Sequence, residues 1–227
     1  MSKNRVIVAL DSDNLDKSEE LIEKIKDQAF AFKIGYEFFL NFGLSGYKKI
    51  QEKNVKIFLD LKLHDIPNTV KKSIETISNL NPYFTTIHIS GGDEMQKVAA
   101  LNKKNVKILG VSILTSIDNT QAKKYYNNEN IKNVVSSFVN NALENNLDGV
   151  VCSPHEIEMV KKISDNKLCI VTPGIRPNNY IKNDDQKRFM TPKEAINLGS
   201  NYLVIGRPIT ESSNPLKEIL SINSSID

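Results

Sequence analysis

The sequence predicts an α/β fold, a single-domain (β/α)8 (TIM) barrel spanning residues 1–227, and three observations carry that expectation. Eight short runs rich in Val and Ile recur along the whole chain. They are continuously apolar rather than alternating, which suits strands covered on both faces, as in a parallel sheet. Segments with helical periodicity separate the runs, and eight such units in 227 residues lie near the lower size limit of a closed barrel.

In chain order, the first run, Val6–Leu10, leads into a helix over Leu15–Ile25, where Leu21, Ile22 and Ile25 form one stripe. Ala29–Ile34 and Lys56–Asp60 are the second and third strands. Pro67 then suits the first turn of a helix whose apolar stripe is Val70, Ile74 and Ile77. Thr85–Ile89 and Val106–Val111 follow, and Val134, Val135, Phe138, Val139, Ala142 and Leu143 mark the clearest amphipathic helix. Gly149–Cys152, Leu168–Val171 and Tyr202–Ile205 complete the strands, with helical patterns over Glu156–Ile163 and Leu216–Ile222. A doubly wound open sheet is the competing arrangement. Its first strand-to-helix turn is often glycine-rich, whereas the turn after Leu10 reads Asp11-Ser-Asp-Asn.

Composition narrows the function classes. The net charge of +3 is small and the charges are interspersed, which argues against a general nucleic-acid binder and leaves room for one local anion site. Cys152 and Cys169 lie inside apolar runs without metal-ligand spacing and read as reduced core thiols. The apolar run Val6–Leu10 is too short for a signal-peptide core, and no stretch reaches the roughly 18 apolar residues of a membrane helix. The expectation is a cytoplasmic protein without membrane contact.

Barrels gather functional groups at the C-terminal ends of their strands. Those ends read Asp11, Lys33, Asp60, His88, Thr115, Pro173-Gly174 and Gly206-Arg207. Each alone has a bland explanation: Asp11 as a helix cap, Lys33 as a side chain reaching solvent. So many charged residues ending apolar strands do not. The densest cluster is Asp60-Leu-Lys62-Leu-His-Asp65-Ile-Pro67-Asn-Thr69. On an extended chain Asp60 and Lys62 point the same way. Flanking carboxylates would keep that lysine an ammonium, hence a proton donor rather than a Schiff-base nucleophile. A second cluster runs from Thr172-Pro-Gly174-Ile-Arg176-Pro177 through Asp184-Asp-Gln186-Lys-Arg188. Its length between strand and helix suggests a functional lid. The third, Ile205-Gly206-Arg207-Pro208, follows the last strand, where such barrels commonly bind phosphate.

These residues resemble the orotidine 5'-phosphate decarboxylase family. The motif Asp60-x-Lys62-x-x-Asp65-Ile-Pro-Asn-Thr69 is similar to that family's signature. So are Thr172-Pro-Gly-Ile-Arg-Pro177, Asp184-Asp-Gln-Lys-Arg188, Ile205-Gly-Arg-Pro208, Phe32-Lys33-Ile-Gly35, Ile113-Leu-Thr115-Ser116 and the Leu-Asp11 end of the first strand. One departure is Ile89, where the family pattern has Ala after the histidine. The resemblance implies decarboxylation of orotidine 5'-phosphate to uridine 5'-phosphate, the last step of de novo synthesis of that nucleotide, with neither metal nor organic cofactor. It implies a homodimer in which Asp65 and Thr69 reach the partner's site. Lys62 would protonate C6 of the pyrimidine as CO2 leaves, Asp60 would sit by the substrate carboxylate, Lys33 would complete the charged network and Asp11 would hold the ribose. Thr115, or Ser116 in its place, would contact the pyrimidine. Gln186, Gly206 and Arg207 would hold the phosphate, with Arg176 at the base of the closing loop. The alternative is a metal-dependent sugar-phosphate decarboxylase or hexulose-phosphate synthase of the same suprafamily. Lys33 speaks against it, because an acidic residue there would suit a metal.

Overall fold

The computed structural model describes residues 4–177 and 190–226. Among them, eight parallel strands close into one barrel in sequence order, β1-β2-β3-β4-β5-β6-β7-β8, with β8 returning to β1 through the register Ile7–Val204. This is the (β/α)8 arrangement, and it excludes the open sheet. The strands are β1 (Val6–Ala9), β2 (Ala31–Ile34), β3 (Ile57–Leu63), β4 (Phe84–His88), β5 (Lys107–Val111), β6 (Gly149–Val151), β7 (Cys169–Thr172) and β8 (Tyr202–Ile205). The helices that matter below are α1 (Leu15–Ile25), α2 (Tyr36–Gln51), α3 (Pro67–Leu80), α4 (Asp93–Asn102), α5 (Asn119–Tyr126), α6 (Ile131–Glu144), α7 (Ile157–Ser164), α8 (Pro192–Leu198) and α9 (Arg207–Thr210).

Continuous hydrophobicity follows from two separate cores. Ile7, Ala9, Ala31, Phe58, Phe84, Leu109, Val171 and Val204 fill the inside of the barrel. The alternate residues, such as Val8, Phe32, Ile34 and Leu59, pack outward against Ile22, Ile25, Phe38 and Ile74 of the helices. Each such side chain contributes about 1.5–3 kcal/mol by leaving water. Helix starts are set locally. The Asn14 side chain accepts the Lys17 amide at 3.0 Å, Pro67 opens α3, and Thr191 with Glu194 forms a capping box on α8.

Two features depart from the expected pattern. The loop after β5 contains an additional helix, α5, in which only Ala122 is buried, so it shows almost no apolar stripe in sequence. In β3, Leu59 pairs with Thr85 but Leu63 pairs with Ile87, so β3 carries two more residues than β4 across the same span. The chain is therefore not regularly extended between Asp60 and Lys62. Lys62 instead adopts φ = 45°, a left-handed conformation that costs a non-glycine residue about 1–3 kcal/mol.

Candidate active site

Period-two alternation decides what reaches the barrel mouth. In β2, Lys33 lies on the face of Ala31; in β3, Asp60 lies on the face of Phe58. Ala31 and Phe58 belong to the interior cluster, so the next residues on that face emerge above it. There a cavity of about 770 Å³ opens at the C-terminal ends of the strands. Asp11, Lys33, Asp60 and Lys62 line one side of it.

These four groups form a connected network. Lys62 Nζ donates to Asp60 Oδ2 at 2.8 Å, and Lys33 Nζ lies 3.7 Å from the same oxygen. Lys33 Nζ also donates to Asp11 Oδ1 at 3.2 Å. The second Asp60 oxygen, Oδ1, accepts the Thr86 hydroxyl at 2.8 Å. Burial of Asp60 opposes its charge, yet the Lys33 and Lys62 ammonium groups and the two hydrogen bonds win, holding the carboxyl below its usual range. The ion pairs are partly dehydrated, since the Lys33 and Asp60 side chains retain 12% and 9% of their accessible surface. Such charges are worth more here than in water.

The approach of Lys62 to Asp60 matches the expectation from the motif, but its cause does not. Extended geometry is replaced by the left-handed turn at Lys62, and side chains hold that turn where ladder bonds are interrupted. The Lys62 amide donates to Thr86 Oγ1 at 2.9 Å, and the Tyr36 hydroxyl donates to the Leu61 carbonyl at 2.8 Å. Lys62 Nζ also lies 5.8 Å from the Tyr36 ring centre. Nothing in the strand-end reading singles out Thr86 or Tyr36. Thr86 sits beside a second threonine in β4, Phe84-Thr-Thr-Ile-His88, so the strand's sequence does not mark which hydroxyl meets the network. Close packing also explains Gly35: a Cβ there would sit 2.9 Å from Lys33 Nζ and 3.3 Å from Asp11 Oδ1.

Among the other expected residues, Thr115, Arg176, Gly206 and Arg207 all line the cavity. Thr115 is half-buried, whereas Ser116 is exposed and is not part of the lining. Gly206 precedes α9, and Arg207 begins it. Arg176 donates from a terminal guanidinium nitrogen to the Ile175 carbonyl at 2.9 Å. Asp65 and Thr69 are exposed and stand outside the chain's own cavity; the Asp65 carboxylate accepts the Ile66 amide at 2.7 Å. His88 does not line the cavity. Its imidazole is pushed down by burial and by nearby His64 and Lys62, against the opposing pull of Asp60. Gln186 and the Asp184–Arg188 motif lie outside the described residues.

Among the described residues no group of three or more His, Cys, Asp or Glu side chains converges as a metal site. Asp60, the most buried carboxylate of the mouth, already faces two ammonium groups. Both thiols are unpaired, and burial raises Cys152 well above its usual value and Cys169 to about 11, so they read as inert. No helix among the described residues is long and apolar enough to cross a membrane.

Residues 4–222 match the Orotidine 5'-phosphate decarboxylase / HUMPS family. The chain is 45% identical to an orotidine 5'-phosphate decarboxylase of Wigglesworthia glossinidia brevipalpis, covering 97% of this chain and 98% of that one. It is 42% identical to one from Staphylococcus saprophyticus, with 98% of each covered. A crystal structure of orotidine 5'-phosphate decarboxylase from Lactobacillus acidophilus superposes with a TM-score of 0.85 at 35% identity, covering 99% of both chains.

Proposed function

Because the chain belongs to the Orotidine 5'-phosphate decarboxylase / HUMPS family, we propose that it is a carboxy-lyase that converts orotidine 5'-phosphate to uridine 5'-phosphate and CO2 in pyrimidine biosynthesis. One observation carries the reading: Lys62 Nζ is held 2.8 Å from buried Asp60, with Lys33 on the same carboxylate, at the mouth of the cavity. When the C6–carboxylate bond breaks, its electron pair stays on C6, in an orbital the ring cannot delocalise. A preorganised ammonium answers that charge without an electron sink. Lys62 then transfers a proton to C6 and is reprotonated from solvent. Asp60, beside the substrate carboxylate, would also raise the energy of the bound substrate as the negative charges approach.

The remaining roles follow the cavity lining. Asp11 holds the ribose, Thr115 the pyrimidine, and Gly206 and Arg207 the phosphate; family resemblance, rather than the lining, adds Gln186 to the phosphate and sets Arg176 at the base of the loop that carries it. The reaction draws on no metal and no organic cofactor. Lys33 supports this against the sugar-phosphate reading, because its ammonium lies 3.2 Å from Asp11 and 3.7 Å from Asp60, where a metal site would need another anion.

The active form on this reading is a homodimer of one-domain chains in the cytoplasm. Asp65 and Thr69 are exposed and lie just beyond Lys62 in sequence, beside Ile66, which is 67% exposed; all three suit a partner's site and interface. Mixing Lys62→Ala chains with Asp65→Ala chains under subunit exchange tests this. Random pairing should restore about a quarter of all sites, and no recovery after confirmed exchange would put both residues in one chain's site. For the activity itself, the purified chain should change the ultraviolet absorbance of orotidine 5'-phosphate and release one CO2 per nucleotide. No conversion would overturn the assignment.

A further inference from the structure

The proposed chemistry requires Lys62 and Asp60 to be fixed, yet β3 gives neither a regular backbone. Leu59 and Leu63 are the flanking residues in register with β4, and the stretch between them has lost its ordinary ladder. A backbone amide left without a partner in such a place costs about 1–3 kcal/mol, and a left-handed lysine adds strain. Something outside the strand must hold the turn.

We infer that Thr86 of β4 is a positioning residue for catalysis: its hydroxyl locks the Lys62 backbone and the Asp60 carboxylate to each other. The hydroxyl oxygen accepts the Lys62 amide at 2.9 Å while its proton goes to Asp60 Oδ1 at 2.8 Å. One donor and one acceptor function are thus both used, and used in a single direction. Asp60 accepts and cannot donate while ionised, so the Thr86 proton must point at it. That orientation leaves a lone pair for the Lys62 amide. Thr86 is fully buried and is not among the residues lining the cavity, so it has no direct contact to offer a substrate. Its effect passes through Asp60 and Lys62. With Oδ1 fixed by Thr86, Oδ2 is the oxygen presented to the Lys62 and Lys33 ammonium groups. The adjacent Thr85 is equally buried but directs its hydroxyl to the Leu59 carbonyl at 2.9 Å, a bond to the strand rather than to the network.

The inference rests on the decarboxylase reading, and two contrasts isolate the hydroxyl. Thr86→Val keeps the shape and removes the hydroxyl; Thr86→Ser keeps the hydroxyl and removes the methyl. On orotidine 5'-phosphate, Thr86→Val should lower kcat by about 10- to 100-fold with KM within about threefold, because a positioning bond acts on the transition state. Thr86→Ser should stay within about fivefold of the parent in kcat. If the valine chain does not fold, Thr86→Ser against Thr86→Ala gives the same contrast, since that pair differs only in the hydroxyl. Hydrogen exchange of the Lys62 amide reads the lock without turnover and should quicken at least about tenfold in Thr86→Val relative to the parent chain. That readout stands even if the parent chain does not act on orotidine 5'-phosphate, an outcome that would remove the decarboxylase reading alone. Equal losses in the hydroxyl-bearing and hydroxyl-free variants, or an unchanged Lys62 amide in Thr86→Val, would overturn the role of Thr86.

Discussion

The two ends of the barrel are built from the same eight strands and hold lysines in opposite ways. At the N-terminal end, Phe30 stacks on Tyr202 at 4.1 Å, meets Tyr83 edge-on at 5.2 Å, and lies near Phe84. Lysines there rest on aromatic surfaces: Lys56 Nζ lies 4.4 Å from the Phe30 ring centre, and Lys107 Nζ donates to the Tyr83 hydroxyl at 3.1 Å. At the C-terminal end, Lys33 and Lys62 converge on the buried carboxylate of Asp60. The floor is apolar matter that excludes water; the mouth is charge held above it. Stability and chemistry are thus assigned to opposite ends, and mutations at one end should move one property and spare the other.

The largest expected effect is at the mouth. Lys62→Ala should lose several decades of kcat on orotidine 5'-phosphate, each decade being about 1.4 kcal/mol of barrier. The chain should still fold, since buried Asp60 keeps the Lys33 ammonium and the Thr86 hydroxyl as partners. Lys62→Gly should be equally inactive but should melt above Lys62→Ala, because glycine adopts φ = 45° without strain. Turnover within tenfold of the parent chain would break the comparison at its functional end.

At the floor the order reverses. Phe30→Ala removes a side chain that is 5% exposed and should destabilise the fold by about 3–5 kcal/mol in denaturant titration. Measured well below its melting point, that variant should keep kcat within about threefold, since the chemistry does not depend on the floor. A loss of kcat comparable to that of Lys62→Ala would show that the ends are not separable.

A smaller effect concerns the departure at Ile89. A Cβ at Gly110 in β5 would lie 2.6 Å from Ile89 Cγ1, so a larger residue after His88 is matched by the absence of a side chain opposite. Gly110→Ala should cost about 1–3 kcal/mol of stability by overpacking. In an Ile89→Ala background the same change should cost less, with the remaining contact to Leu147 setting the residue of the penalty. Additive losses would show that the two positions do not compensate.

How much of this was legible in the sequence differs by element. The strands were legible because both of their faces are buried, which leaves Val and Ile runs that no exposed segment imitates. Lys33 and Asp60 were legible because a buried charge ending such a run is costly unless something needs it; exposed Asp11 was legible only by its place at the end of the first strand. The left-handed Lys62 was not, since Asp60-Leu-Lys62-Leu reads as plain alternation and no glycine marks the turn. Thr86 was silent for a related reason: threonine is an ordinary strand former, and its partners lie 24 and 26 residues away. The aromatic floor is drawn from residues far apart in sequence, which no local pattern connects. Helix α5 exposes most of its surface and so lacks the periodicity that revealed α1 and α6.

The central claim is that two ammonium groups around Asp60, rather than a metal ion, supply the charge that decarboxylation needs. Its most direct test carries the smallest expected change: turnover of orotidine 5'-phosphate before and after exhaustive chelation. The rate should be the same in both. Activity lost on chelation and restored by magnesium would contradict it, because a metal ion would then supply that charge.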